Sequence, residues 1–165
     1  MLKPVIRRNT RAGQARFAIV ASRYNARYVE AMVRAAQVEL KRAGVRKSLV
    51  IHVPGAYEIP VVVARLASSE TAAGPLAIIC LGVILRGETV HAAHIGEAVS
   101  RALMEIQLRY HVPVIHEVLL LENEDQARAR CLGKTHNRGA EAAQTALAMA
   151  RLMQGLPAQI ARLQK

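Results

Sequence analysis

Between Leu85 and Ile95 the chain reads LRGETVHAAHI, placing an arginine, a glutamate, a threonine and two histidines directly after a long apolar run. His91 and His94 share a face if the segment is helical, and Glu88 is near enough to suggest a metal site. The pattern lacks the i, i+4 histidines and internal glutamate of the zincin motif, and no distant third ligand stands out. Two histidines in a polar first turn, with no shared ligand, is the plainer reading. Gly87, Glu88 and Thr89 lie between the apolar run and a helical pattern, where free backbone N–H groups and a hydroxyl bind anions. An ordinary threonine helix cap fits these residues equally well.

Other stretches carry further chemistry. Tyr24 in SRYN and Tyr57 in PGAYE follow strand-like runs, where each could stack on a planar ligand or simply cover a helix end. Glu58 is either a charge at a helix N-terminus or a ligand acceptor. Arg130, Lys134, His136 and Arg138 form a basic cluster that reads as an anion site or as a solvated loop. His116 and Glu117 interrupt an apolar strand, and alternation sends them to opposite faces, so both cannot face the core. A subunit interface or the edge of a site accounts for them better than a solvated position does.

The elements that must hold these groups follow a simple order. RFAIVAS (16–22) is a short buried strand, and Val29, Met32, Val33, Ala36 and Leu40 recur at helical spacing until Gly44, a C-terminal stop. SLVIHVP is strand-like, and 56–66 reads as a helix whose early Pro60 is tolerable in a first turn. PLAIICLGVIL is a continuous apolar run, as expected of a central parallel strand; its helix carries Ile95, Val99, Ala102, Leu103 and Ile106. A last strand spans 113–121, followed by a polar helical piece over 123–130 and an alanine-rich helix from about 140 to 154. Strands alternating with helices predict an α/β fold with a four-stranded parallel sheet covered on both faces. Ligands in such sheets bind at the carboxyl ends of the strands, where the unusual polar and aromatic residues fall.

Composition narrows the function classes. The 165 residues, 52% hydrophobic, make one domain (15–155) with an aliphatic core, preceded by a polar arm (1–14) and followed by a tail (156–165). Two cysteines, Cys80 and Cys131, make neither a disulfide framework nor a metal set, and a reducing compartment fits. No signal-like or membrane-spanning run is present, so the expectation is a cytoplasmic protein without a membrane partner. The net charge of +11 invites anionic ligands, but the basic residues are dispersed and no nucleic-acid motif accompanies them. Specific nucleic-acid binding is not expected.

Taken in order, SRYN, HVPGAYEIP, GVILRGETVH, PVIHEVLL and ARARCLGKTHNRGAEAA resemble the lumazine synthase family, over about 16–153. The resemblance implies a flavodoxin-like three-layer αβα sandwich. It also implies condensation of 5-amino-6-(D-ribitylamino)uracil with 3,4-dihydroxy-2-butanone 4-phosphate to 6,7-dimethyl-8-ribityllumazine, without metal or organic cofactor. By position, Tyr24 corresponds to the aromatic that stacks on the pyrimidine. Ala56, Tyr57 and Glu58 correspond to the segment holding ribityl chain and ring, and Val83, Ile84 and Leu85 to the strand end that bonds the pyrimidine. Glu88 and Thr89 match the phosphate-binding pair, His91 the proton-transfer histidine and Arg130 the arginine that grips phosphate, with Lys134 and Arg138 as supporting charges.

The resemblance further implies a homo-oligomer, a pentamer or a 60-subunit shell, with active sites between subunits and His116 contributed to a neighbour's cleft. The arm would then lie against a neighbouring sheet, and riboflavin synthase is a candidate partner. No residues are added between Arg130 and Gly139 of the kind associated with isolated pentamers, so a shell is permitted. The chain also departs from the family. Ala92, Ala93 and His94 stand where an aromatic, an acid and an aromatic are usual; His116 replaces a Phe, Glu117 a Gly, and Leu-Gly precedes Lys134 in place of Gly-Thr. These departures keep open a non-catalytic lumazine- or flavin-binding, or shell-forming, relative on the same scaffold.

Overall fold

The computed structural model describes residues 16–69, 74–133 and 136–163. The arm (1–14), Lys134 and the final two residues of the tail lie outside them. In chain order the elements are β1 (Phe17–Ser22), α1 (Ala26–Arg42), β2 (Ser48–Val53), a 3₁₀ turn (Ala56–Glu58), α2 (Ile59–Ala67), β3 (Ala77–Leu85), α3 (His91–Tyr110), β4 (Val114–Leu121), α4 (Glu124–Cys131) and α5 (Arg138–Leu163).

All strand pairs are parallel and the sheet order is β2-β1-β3-β4, so the winding reverses between β1 and β3. The two inner strands bury nearly every side chain, which is why their sequences are apolar without alternation. Alternate residues feed two cores. Phe17, Ile19, Ile79 and Leu81 pack against α1 and α5, whereas Ala18, Val20, Ile78 and Cys80 pack with α2 and α3 residues such as Ile59, Val63, Val99 and Leu103. The flavodoxin-like three-layer sandwich is therefore realised.

Local chemistry sets the boundaries. Gly44 takes φ 87°, a left-handed turn that ends α1 where the apolar spacing ends. The segment expected to be helical from 56 begins as a 3₁₀ turn, and α2 proper starts at Ile59. Pro60, lacking an N–H, then sits in the first turn, where that donor would have no intrahelical acceptor. At Gly139 an added Cβ would collide with the Met32 backbone, so α5 crosses α1 at contact distance only because no side chain intervenes. The last helix is longer than its spacing predicts: it continues past Gln154, through Pro157, to Leu163, so the described part of the expected tail is helical.

Candidate active site at the strand ends

The reversal between β1 and β3 leaves a crevice at their carboxyl ends. Around it stand four stretches, from the ends of β1, β2 and β3 and the start of α3. After β1 the backbone N–H groups of Arg23 and Tyr24 donate to the Pro54 carbonyl, tying the first two strand ends together. Tyr24 is 73% exposed, with its ring edge against Gly55; a Cβ at 55 would lie 3.3 Å from that ring and 2.9 Å from a Glu58 carboxylate oxygen. Glu58 accepts a 2.9 Å bond from the Gly55 N–H, so one of its oxygens orders the loop. The other has no partner among the described residues. Tyr57, 63% exposed, presents its ring outward from the 3₁₀ turn, while Ala56 is buried beneath.

β3 ends at Val83, Ile84 and Leu85, grading from buried to half-buried as the strand leaves the core. One residue that the sequence did not flag acts here. Asn25, in the left-handed region at φ 57°, donates its side-chain amide to the Val83 carbonyl at 2.8 Å, bracing the β3 end against the β1 turn. An asparagine just before a helical pattern was the available signal, since Asn tolerates this conformation better than most residues. Ser22, also unflagged, is buried at the end of β1, and its hydroxyl has no hydrogen-bond partner among the described residues.

Gly87, Glu88, Thr89 and Val90 form an exposed turn, and His91 is the first residue of α3. The residue capping this helix is Val90, without a side-chain bond, so Thr89 lies outside the helix and is not its cap. Its hydroxyl and the first N–H groups of α3 are left for an anion. His91 and His94 are both exposed. Among the described residues no three His, Cys, Asp or Glu side chains gather as a metal set, which leaves the two histidines without a third ligand.

The remaining candidates stand on β4, α4 and α5. On β4, His116 and Glu117 point to opposite faces, as alternation requires. His116 bonds Ser100 Oγ at 2.8 Å, and partial burial lowers its pKa. Ser100 is nine residues beyond His91 on α3, roughly 13 Å further along the helix axis. One copy therefore does not bring His116 to His91. Glu117 is only 8% exposed and faces the α5 side, where Arg138 grips it with a fork: Nε to Oε2 and Nη2 to Oε1, both 2.9 Å. Burial raises the carboxyl pKa and Arg138 opposes the rise. Arg138 also donates from Nη1 to Glu141 at 2.6 Å. Arg130, exposed in the last turn of α4, has no ion pair among the described residues. Next to it Cys131 is buried; loss of water, with a smaller push from Glu117, raises its pKa to about 11.

A cleft of about 960 Å³ opens at the amino ends of the strands, lined by Arg46, Lys47, Arg65, Leu49 and Leu66 among others. None of the candidate residues lines it. Tyr24, Tyr57, Glu58, Glu88, Thr89 and His91 stand on an open rim at the other end of the sheet.

The profile of the 6,7-dimethyl-8-ribityllumazine synthase family matches residues 14–154. The chain belongs to that family. Relatives bearing that name include one from Stenotrophomonas maltophilia (strain R551-3), 43% identical over 87% of this chain and 92% of its own length. Others from Xanthomonas oryzae pv. oryzae (strain PXO99A) and Xanthomonas campestris pv. campestris (strain B100) are 43% and 41% identical over the same shares. No described helix is long and apolar enough to cross a membrane.

Proposed function

We propose that the protein is a 6,7-dimethyl-8-ribityllumazine synthase acting in riboflavin biosynthesis, in the cytoplasm. The observation that carries the reading is the strand-end rim, where four stretches in the family's order converge on one crevice. Tyr24 stacks on the pyrimidine; Ala56, Tyr57, Glu58 and the Val83–Leu85 backbone hold its ribityl chain and ring edges. Glu88 and Thr89 meet the phosphate at the start of α3, and Arg130 supplies the charge-assisted bonds a dianion needs. His91 moves protons as the amine condenses with the ketone and loses water, as phosphate departs, and as the ring closes with loss of a second water.

We further infer that the site is completed between copies, in pentamers that stand alone or build a 60-subunit shell. The rim of one copy is open, and His116 lies too far along α3 to reach it. Val61, Val90, Met104, Leu108 and Leu120 are large apolar side chains exposed on a single chain, as a subunit interface requires. The outer edge of β2 is unpaired within the described sheet, where the arm of a neighbour would add. Riboflavin synthase, which uses the product, is the proposed partner of the assembly.

Purified protein given both substrates is expected to form lumazine, followed by absorbance, faster than the spontaneous reaction. Tight lumazine or flavin binding with no turnover would instead identify a non-catalytic relative.

A further inference from the structure

We propose that Glu117 is a positioning residue that sets phosphate recognition: by holding Arg138 in a buried fork it withholds that guanidinium from the substrate, leaving the phosphate to Arg130. This rests on the reading of Arg130 as the phosphate anchor.

Every guanidinium nitrogen of Arg138 is committed. Nε and Nη2 go to the two oxygens of Glu117, and Nη1 goes to Glu141. These bonds use three of its five N–H donors and fix where the guanidinium sits, so a phosphate that drew Arg138 out to the rim would break the fork and strand a buried carboxylate, which costs more than a rim contact returns. Arg130 is placed oppositely: exposed, and without an ion pair among the described residues. The Asn137 amide donates to the Cys131 carbonyl, and its oxygen accepts from the Gly139 N–H at 2.9 Å. Glu117 is in electrostatic reach of both arginines, far more strongly of Arg138. One becomes its partner and the other stays available. In Glu117→Gln the charge-assisted fork is reduced to one neutral acceptor, and the ion pair left to Arg138, with Glu141, is a partly exposed i, i+3 pair of the weak surface kind. The guanidinium would then be free to join a dianion.

The test is calorimetric titration of inorganic phosphate into the assembled full-length protein, alongside KM for each substrate. Glu117→Gln, close in shape, is expected to bind phosphate about three- to tenfold more tightly, with KM falling for the phosphorylated substrate and not for the uracil. Glu117→Gln combined with Arg138→Gln should return phosphate affinity to within about twofold of the parent. Unchanged or weaker binding by Glu117→Gln overturns the proposal, as does a gain that survives in the double variant. Should Glu117→Gln fail to assemble, the double variant decides alone: a roughly tenfold loss of phosphate affinity relative to the parent would show that Arg138 already contacts the anion. Phosphate binding is read without turnover, so failure of the synthase reading would appear separately, as absent lumazine formation.

Discussion

Two regions of this molecule hold most of its unusual polar residues, and they treat them in opposite ways. At the strand-end rim, Tyr24, Tyr57, Glu88, Thr89 and His91 are exposed, and bonds such as Gly55 to Glu58 and Asn25 to Val83 order backbone, with Arg86 alone of the outward-facing groups there ion-paired, to Glu122, among the described residues. Behind β4, Glu117, Arg138, Glu141 and Asn137 are bonded among themselves and to nearby backbone, and each guanidinium nitrogen of Arg138 makes a bond to a carboxylate. The first region spends little on its own stability and leaves donors and a ring for a ligand. The second stabilises a buried charge, and Arg130 at its border has no ion pair among the described residues. Chemistry is thus expected of the rim and of Arg130, and stability of the network.

Substitutions can break that contrast. His91→Ala should lower kcat by about a hundredfold or more while leaving the assembly intact in light scattering. A loss below tenfold would remove the proton-transfer role. Arg130→Ala should raise KM for the butanone phosphate by about tenfold or more, leaving the uracil KM little changed, in steady-state kinetics. In the network the effect moves from kinetics to folding: Arg138→Ala leaves Glu117 buried and unpaired and should cost about 3 kcal/mol, seen as a lowered thermal midpoint. A midpoint within a degree of the parent would mean that the fork contributes nothing.

The smallest effect concerns pH. Because burial depresses the pKa of His116, the folded protein binds fewer protons there than the unfolded chain between that lowered value and about 6.5. The corresponding stability is present above about pH 6.5 and is lost as pH falls through that window. Replacing His116 by Phe should flatten the decline in thermal midpoint between pH 7.5 and 5, and an unaltered slope would contradict the assignment.

Much of this contrast was legible in the sequence, because the signals were local. Apolar runs and 3.6-residue spacing located the strands and helices, and the rule for strand ends located the rim. The opposite orientations of His116 and Glu117 follow from alternation alone. What alternation cannot supply is a partner: Glu117 meets Arg138 only after α4 and a loop fold back, and Asn25 meets Val83 across the crevice. Arg138 consequently read as one supporting charge in a basic cluster, with no sign that Glu117 and Glu141 bond it. The helical start at 56 and the stop near 154 missed for a related reason. Pro60 and Pro157 act through which N–H would have had an acceptor, and in the exposed end of α5 no packing marks where the helix must stop.

The central claim is that rim and Arg130 belong to one site but come from different copies. The most direct test mixes subunits: His91→Ala and Arg130→Ala proteins, each strongly impaired at a butanone phosphate concentration well below KM, are unfolded together in equal amounts, reassembled and assayed for lumazine formation at that concentration. If the residues meet only across an interface, random mixing restores both in about one quarter of the sites, and activity should return to about that fraction of the parent's. Activity no higher than that of the two separate variants, in assemblies shown to be mixed, would contradict the account.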